Sequence, residues 1–151
     1  MKKTLSVLLD FVHDQFVFGR RFRILNIVND VTRECLAAIP DTSISGKRVA
    51  RELTMLIDTR GKPQMIVFEN GAEFTSNAIL GWDRRTTRQP GFGINQVCRE
   101  RSEEVFGWIK EQAGLAKFKV RGRAKAEAVF TFAVAAYNLI RIPKLLAESP
   151  A

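Results

Sequence analysis

Leu5–Val12 is an apolar run rich in branched side chains, ending in polar His13 and Asp14, and a run of that length and make-up reads as a buried strand. Asp10 sits inside it, where an unpaired charge is costly. Arg21–Val28 and Glu34–Ile39 read as second and third strands, and Asn29-Asp30 between them supplies hairpin chemistry. The chain therefore opens as a three-stranded meander. Then the period changes. Val49, Leu53, Leu56 and Ile57 fall at helical spacing, with Ser45 as an N-cap and Gly61 and Pro63 closing the segment. Met65–Phe68 is a short fourth strand, Glu69-Asn70-Gly71 is a turn signal, and Thr75–Trp82 reads as another helix. Strand, strand, strand, helix, strand, helix is an α/β order in which the fourth strand can pair parallel with the first.

Past Trp82 the texture differs. Asp83–Gly93 is arginine-rich and broken by Pro90, Gly91 and Gly93, so it reads as a loop. Asn95 to about Gly114 reads as a helix studded with charge, and Lys117–Lys125 is a basic stretch containing Gly122. Glu127–Ile142 is apolar almost all round, which predicts a largely buried helix. With 151 residues, 46% of them hydrophobic, the chain has room for one domain with a core and not for two of full size. Its net charge of +8 points toward a polyanionic partner. Residues 1–82 hold 11 Lys+Arg against 9 Asp+Glu, and residues 83–151 hold 13 against 7, so the back half is the candidate for phosphate contact.

Cys35 and Cys98 have no metal-type spacing and read as reduced thiols. Asp10, His13 and Asp14 interrupt the N-terminal apolar run before it reaches secretion-signal length. The apolar stretch Ala128–Ile140 reads as too short to span a bilayer. The expectation is a cytoplasmic protein with no membrane partner.

Two acids carry the candidate chemistry. Asp10 lies within or at the end of the first strand, and Glu69 lies at the C-terminal end of the fourth, where α/β sheets place ligand-binding groups. On neighbouring strands the two carboxylates converge. They then repel unless a cation lies between them, and Mg²⁺ prefers such hard oxygen ligands. A two-metal site of this kind clamps the attacking and leaving oxygens of a phosphoryl displacement. The alternative is that each acid merely caps or solvates a strand end.

Leu9-Asp10-Phe11-Val12-His13-Asp14-Gln15, then Gly19-Arg20-Arg21-Phe22-Arg23-Ile24-Leu25, then Asp30-Val31-Thr32-Arg33-Glu34-Cys35 run in order. Asp41-Thr42-Ser43, Ser45-Gly46, Arg48-Val49-Ala50 and Glu69-Asn70-Gly71-Ala72-Glu73-Phe74-Thr75-Ser76-Asn77 follow. Together, over roughly residues 4–82, they resemble insertion-sequence transposases with a retroviral-integrase-like core, the family numbered three among insertion sequences. The resemblance implies an RNase H-like fold and a D-D-E triad that holds two divalent ions, Mg²⁺ or Mn²⁺, for DNA cleavage and strand transfer. Asp10 matches the first aspartate, and Glu69 stands where the second belongs. The G-F-x-E-S-F-N-G segment that carries the third acid is absent.

Asp83-Arg84-Arg85-Thr86-Thr87-Arg88-Gln89-Pro90-Gly91-Phe92, Arg99, Glu103-Glu104-Val105-Phe106-Gly107-Trp108-Ile109-Lys110 and Ala136–Leu146 instead resemble the C-terminus of the family numbered five. That family has an R-x3-E-x6-K signature around its catalytic glutamate, and Arg99, Glu103 and Lys110 satisfy its spacing, with Gln96 in place of the leading tyrosine. The implied site is Asp10, Glu69 and Glu103 (or Glu104), with Lys110 and Arg99 toward DNA. Arg84, Arg85, Arg88, Lys117, Lys119, Arg121 and Arg123 are further candidates for DNA contact. Lys117 to Lys125 alternate at every second residue, which on an extended strand puts all five bases on one side.

The chain thus reads as a hybrid, a truncated integrase-like core over 1–82 joined to a basic helical segment over 83–151. Glu69 carries one methylene more than aspartate, shifting its carboxylate by about 1.5 Å. The splice also replaces the fifth strand and its following loop with an arginine-rich loop, which predicts that the helix bearing Glu103 has lost its native docking surface. The expectation is an impaired catalyst acting on insertion-sequence ends and target duplex, as an oligomer or with other transposase subunits. The alternatives are a non-catalytic, sequence-nonspecific DNA-binding remnant or a non-functional hybrid reading frame.

Overall fold

A computed structural model of the chain describes residues 5–68 and 92–147, with side chains omitted for 92–99, 101 and 102. Three strands open the chain: β1 (Ser6–Gln15), β2 (Arg21–Asn29) and β3 (Cys35–Asp41). Helix α1 (Gly46–Arg60) and strand β4 (Met65–Phe68) follow, then α2 (Phe92–Glu111) and α3 (Arg123–Ala147). The sheet order is β3-β2-β1-β4, with the first three antiparallel and β4 parallel to β1. This is the mixed α/β sheet expected from the order of elements.

Alternation along the strands decides what covers each face. Val7 and Leu9 of β1, Leu25 and Ile27 of β2, and Ile66 of β4 face α1, which answers with Val49, Leu53 and Leu56. Truncating a residue as buried as Leu53 to alanine costs about 2–5 kcal/mol. The ends of α1 are as the sequence predicts. The Arg48 N–H donates to Ser45 Oγ at 3.3 Å, and the Gly61 N–H donates to the Ile57 carbonyl at 2.8 Å. Gly61 has φ 88°, a backbone conformation that side chains oppose.

The opposite face carries Ile24 and Val28 of β2 and Cys35 and Ala38 of β3. They share one core with Val105, Phe106 and Ile109 of α2, with Phe118, and with Ala126, Phe130, Ala133, Val134 and Tyr137 of α3. Helix α2 is thus docked on the sheet. Three apolar side chains at helical spacing seat it on the sheet, and the front and back of the chain build a single layer.

Three expectations are corrected. Phe92 and Gly93 belong to α2, not to a loop. The last helix begins at Arg123 and runs 25 residues, so it outruns the apolar stretch that first suggested it. By length and composition it is long enough to cross a membrane, yet it lies along the sheet with one stripe buried. Its outer face is not buried: Phe132 is 77% and Leu146 71% exposed, with Leu139 and Ile140 exposed between them. Finally, the helical start at Arg123 ends the basic alternation early. Lys117, Lys119 and Arg121 point outward while Phe118 and Val120 point inward, but Arg123 and Lys125 belong to the first turn of α3. The expected helix Thr75–Trp82 lies outside the described residues.

Candidate catalytic site

Asp10 lies in the middle of β1 and is paired in register with Asn26 of β2. Asn26 stands between Ile24 and Val28, so this pair faces α2 and α3, as does Val12 two residues on. Asp10 is half-buried and Asn26 is fully buried. Among the described residues, neither the amide nitrogen nor the amide oxygen of Asn26 has a hydrogen-bond partner, and Ser6 Oγ, on the same side of β1, is likewise orphaned. Buried amides without partners are rare because each orphaned group forfeits its hydration. Beside a carboxylate, they make a patch of hard oxygen donors on an otherwise apolar sheet face.

The parallel pairing of β4 with β1 sets Ser6 opposite Met65 and Leu9 opposite Phe68. Asp10 and Glu69 are the residues that follow Leu9 and Phe68 in the sequence. Glu69 itself lies outside the described residues, as do Arg84, Arg85 and Arg88.

Helix α2 brings the back half over this face. Lys110 Nζ lies 3.2 Å from Asp14 Oδ1, four residues beyond Asp10 on β1, and 5.0 Å from the Phe106 ring centroid. Lys110 is therefore held by a carboxylate of the core instead of projecting freely. Glu104 is held too, at 2.9 Å from Arg33 and 3.4 Å from Arg141. Those contacts assign Glu104 to the join between the β2–β3 turn and α3. Glu103 is exposed and lines the groove of about 360 Å³ between α2 and α3, with Trp108, Tyr137 and Arg141. Arg99 lies on the same helix, with its side chain undescribed. Among the described residues, no group of three or more His, Cys, Asp or Glu side chains is assembled for a metal ion.

Of the basic candidates, Lys117 and Lys119 are exposed, Arg121 lies over the Phe18 ring at 5.4 Å, and Arg123 Nη1 lies 3.5 Å from Asp41 Oδ2. Sequence reasoning missed Asn26 and Asp14 as neighbours of the candidate site. The signal for Asn26 was present, because an amide within Ile24–Val28 is as anomalous as Asp10 within Leu5–Val12.

The four-stranded mixed sheet with helices on both faces has the RNase H-like fold of retroviral integrase catalytic cores. The simian T-cell lymphotropic virus intasome, solved in complex with PP2A regulatory subunit B56 gamma, superposes with a TM-score of 0.64 at 13% identity, covering 87% of this chain and 47% of that one. The HTLV-2 integrase catalytic core domain in complex with magnesium superposes in its dimeric form at 0.62 with 12% identity, covering 89% and 85%. Its trimeric form superposes at 0.59.

The chain belongs to the integrase core domain family, matched over residues 6–98, and through its second half to the transposase DDE domain family, matched over residues 65–143. It is 39% identical over 77 residues to the insertion element IS476 uncharacterized 39.2 kDa protein of Xanthomonas euvesicatoria, covering 51% of this chain and 22% of that protein. It is 40% identical over 74 residues to the insertion element IS407 uncharacterized 31.7 kDa protein of Burkholderia multivorans, covering 49% and 27%. The matched stretch therefore spans about a quarter of each of these relatives. The two family matches overlap at 65–98, the stretch that joins β4 to α2.

Proposed function

We propose that the chain is a transposase catalytic-core fragment acting on DNA by divalent-ion-dependent phosphodiester cleavage and strand transfer, at a reduced rate. The observation that carries this is the parallel register Leu9–Phe68, because Asp10 and Glu69 each follow one member of that pair. The donor chemistry fits Mg²⁺ or Mn²⁺: a half-buried carboxylate on Asp10 and, beside it, an amide oxygen on Asn26 with no hydrogen-bond partner among the described residues. In this reading Asp10 and Glu69 hold the ions and Glu103 joins from α2. The bound cations supply charge stabilisation for the displacement at phosphorus.

The chain's own residues do the rest. The apolar side chains around Asp10 limit water on that face. Lys110, tied to Asp14, sets the height of α2 above β1 and gives DNA only part of its charge. Lys117, Lys119 and Arg121 hold the phosphate backbone. The longer arm of Glu69 misplaces its carboxylate, and an error near 1 Å costs on the order of 100-fold in rate. The test is cleavage of duplex DNA with Mn²⁺ by the full chain. Slow turnover that Asp10→Asn abolishes and Glu69→Asp raises by about tenfold or more supports the proposal. Turnover indifferent to Asp10→Asn refutes it.

The outward row Lys117, Lys119 and Arg121 favours a second reading, a non-catalytic binder that grips DNA without sequence preference. Such binding weakens steeply with salt. Binding to random duplex with no loss between low and moderate salt refutes it. Self-association is part of the main proposal, since the HTLV-2 integrase core was solved in dimeric and trimeric forms and the outer face of α3 is apolar and exposed.

A further inference from the structure

At the tip of the β1–β2 hairpin, a cavity of about 250 Å³ opens between the phenyl rings of Phe16, Phe18 and Phe22 and the start of α3. Phe16 stacks on Phe18 with ring centroids 5.0 Å apart and lies tilted against Phe22 at 4.4 Å. Both Phe16 and Phe22 are buried, so they fix the wall, while Phe18 is 47% exposed. The wall is tied to the basic segment by the Val17 N–H, which donates to the Phe118 carbonyl at 3.1 Å. Phe16 is six residues along the chain from Asp10, about 20 Å at strand spacing, so this cavity is separate from the acidic site.

The rim is cationic. Arg20 and Arg123 line the cavity, and Arg121 lies over the exposed Phe18 ring at 5.4 Å. Lys119 and Lys117, both exposed, continue the same side of the chain away from it. The acid at the rim, Asp41, is already neutralised. It accepts from the Thr42 N–H at 2.8 Å and pairs with Arg123 at 3.5 Å. An aromatic wall with a cationic track leading to it is how sequence-tolerant proteins hold unpaired nucleic acid, base on ring and phosphate on cation. A duplex keeps its bases stacked internally and has nothing to offer the rings.

We infer that this pocket takes one unstacked base of single-stranded DNA, with the flanking phosphates on Arg121, Lys119 and Lys117. Arg121 gives way to the base on Phe18 and moves to phosphate, since a base stacked on a ring outweighs an exposed cation–π contact. The inference rests on the proposed DNA-binding function and adds where an unpaired strand end goes.

Anisotropy with the full chain compares a single strand of about 12 thymidines with a duplex of the same length. Phe18→Ala, at an exposed ring, lowers single-strand affinity about tenfold and duplex affinity less than twofold. Met55→Ala, at an exposed side chain of α1, changes neither. A Phe18→Trp variant reports stacking directly, its added emission being quenched by the single strand and not by the duplex. Equal effects of Phe18→Ala on both DNAs, or an unquenched tryptophan, overturn the pocket while the DNA-binding function stands. A wild-type chain that binds neither DNA overturns both.

Discussion

Asn138 of α3 closes a pair of hydrogen bonds on the backbone of Cys35 in the edge strand β3. The Cys35 N–H donates to Asn138 Oδ1 at 2.9 Å, and Asn138 Nδ2 donates to the Cys35 carbonyl at 2.7 Å. A side-chain amide thereby substitutes for the neighbouring strand that an edge lacks. It also bolts the last helix to the opening meander, 103 residues earlier in the chain. Replacing Asn138 by alanine orphans both backbone groups and is expected to cost about 2–3 kcal/mol. Urea unfolding followed by fluorescence and circular dichroism checks this. A loss under about 0.5 kcal/mol, or two separate transitions, means that the halves do not fold as a unit.

Cys35 itself yields a pH prediction. Burial, opposed only in part by a backbone hydrogen bond from Ala37, pushes its thiol up to about 12 from 9.0. The folded chain therefore holds the proton while the unfolded chain releases it. From about pH 9 up to pH 12 the unfolded state binds fewer protons, so stability falls as pH rises through that window. In a Cys98→Ser background, alkylation of Cys35 should track unfolding. Rapid alkylation of the folded chain at pH 8 contradicts its burial.

Asn26 is expected to cost stability where it stands. Its amide is fully buried and unpartnered among the described residues, so the near-isosteric Asn26→Leu should raise stability by about 1–3 kcal/mol. The same change removes the polar neighbour of Asp10 and should lower divalent-ion affinity. A thermal melt with and without Mn²⁺ reads both effects. Destabilisation without ions would mean that the amide has partners after all.

The Asp14–Lys110 pair predicts an opposite effect on DNA. Asp14→Asn releases the charge of Lys110, so duplex affinity should rise a few-fold and the salt slope steepen by about one. The stability loss should be small, on the order of 1 kcal/mol, because the lysine is about a third exposed. Unchanged affinity and slope would show that Lys110 faces away from DNA.

The front of the chain was legible because its cues are local. A continuous apolar run rich in branched residues marked β1, and Ser45 and Gly61 bounded α1 as the structure does. Helix α3 was misjudged because an apolar composition all round does not reveal which side a sheet will cover, and only Ala126, Phe130, Ala133, Val134 and Tyr137 of its described residues are buried. The basic row was right over 117–121 and wrong beyond Gly122, whose φ of 92° turns the chain into a helix that alternation cannot foresee. Asp10 stood out as a charge in an apolar strand. The contacts of Lys110 with Asp14 and of Glu104 with Arg33 did not, because ion pairs across 96 and 71 residues leave no trace in spacing.

Manganese broadening of amide resonances tests the acid pair between β1 and β4 most directly. In the wild-type chain, Mn²⁺ should broaden Leu9, Asp10, Phe11 and Phe68 first, and Asp10→Asn should abolish that broadening without lowering the melting temperature. Broadening that persists in Asp10→Asn, or that begins at acids elsewhere on the chain, would contradict a metal site at the head of these two strands.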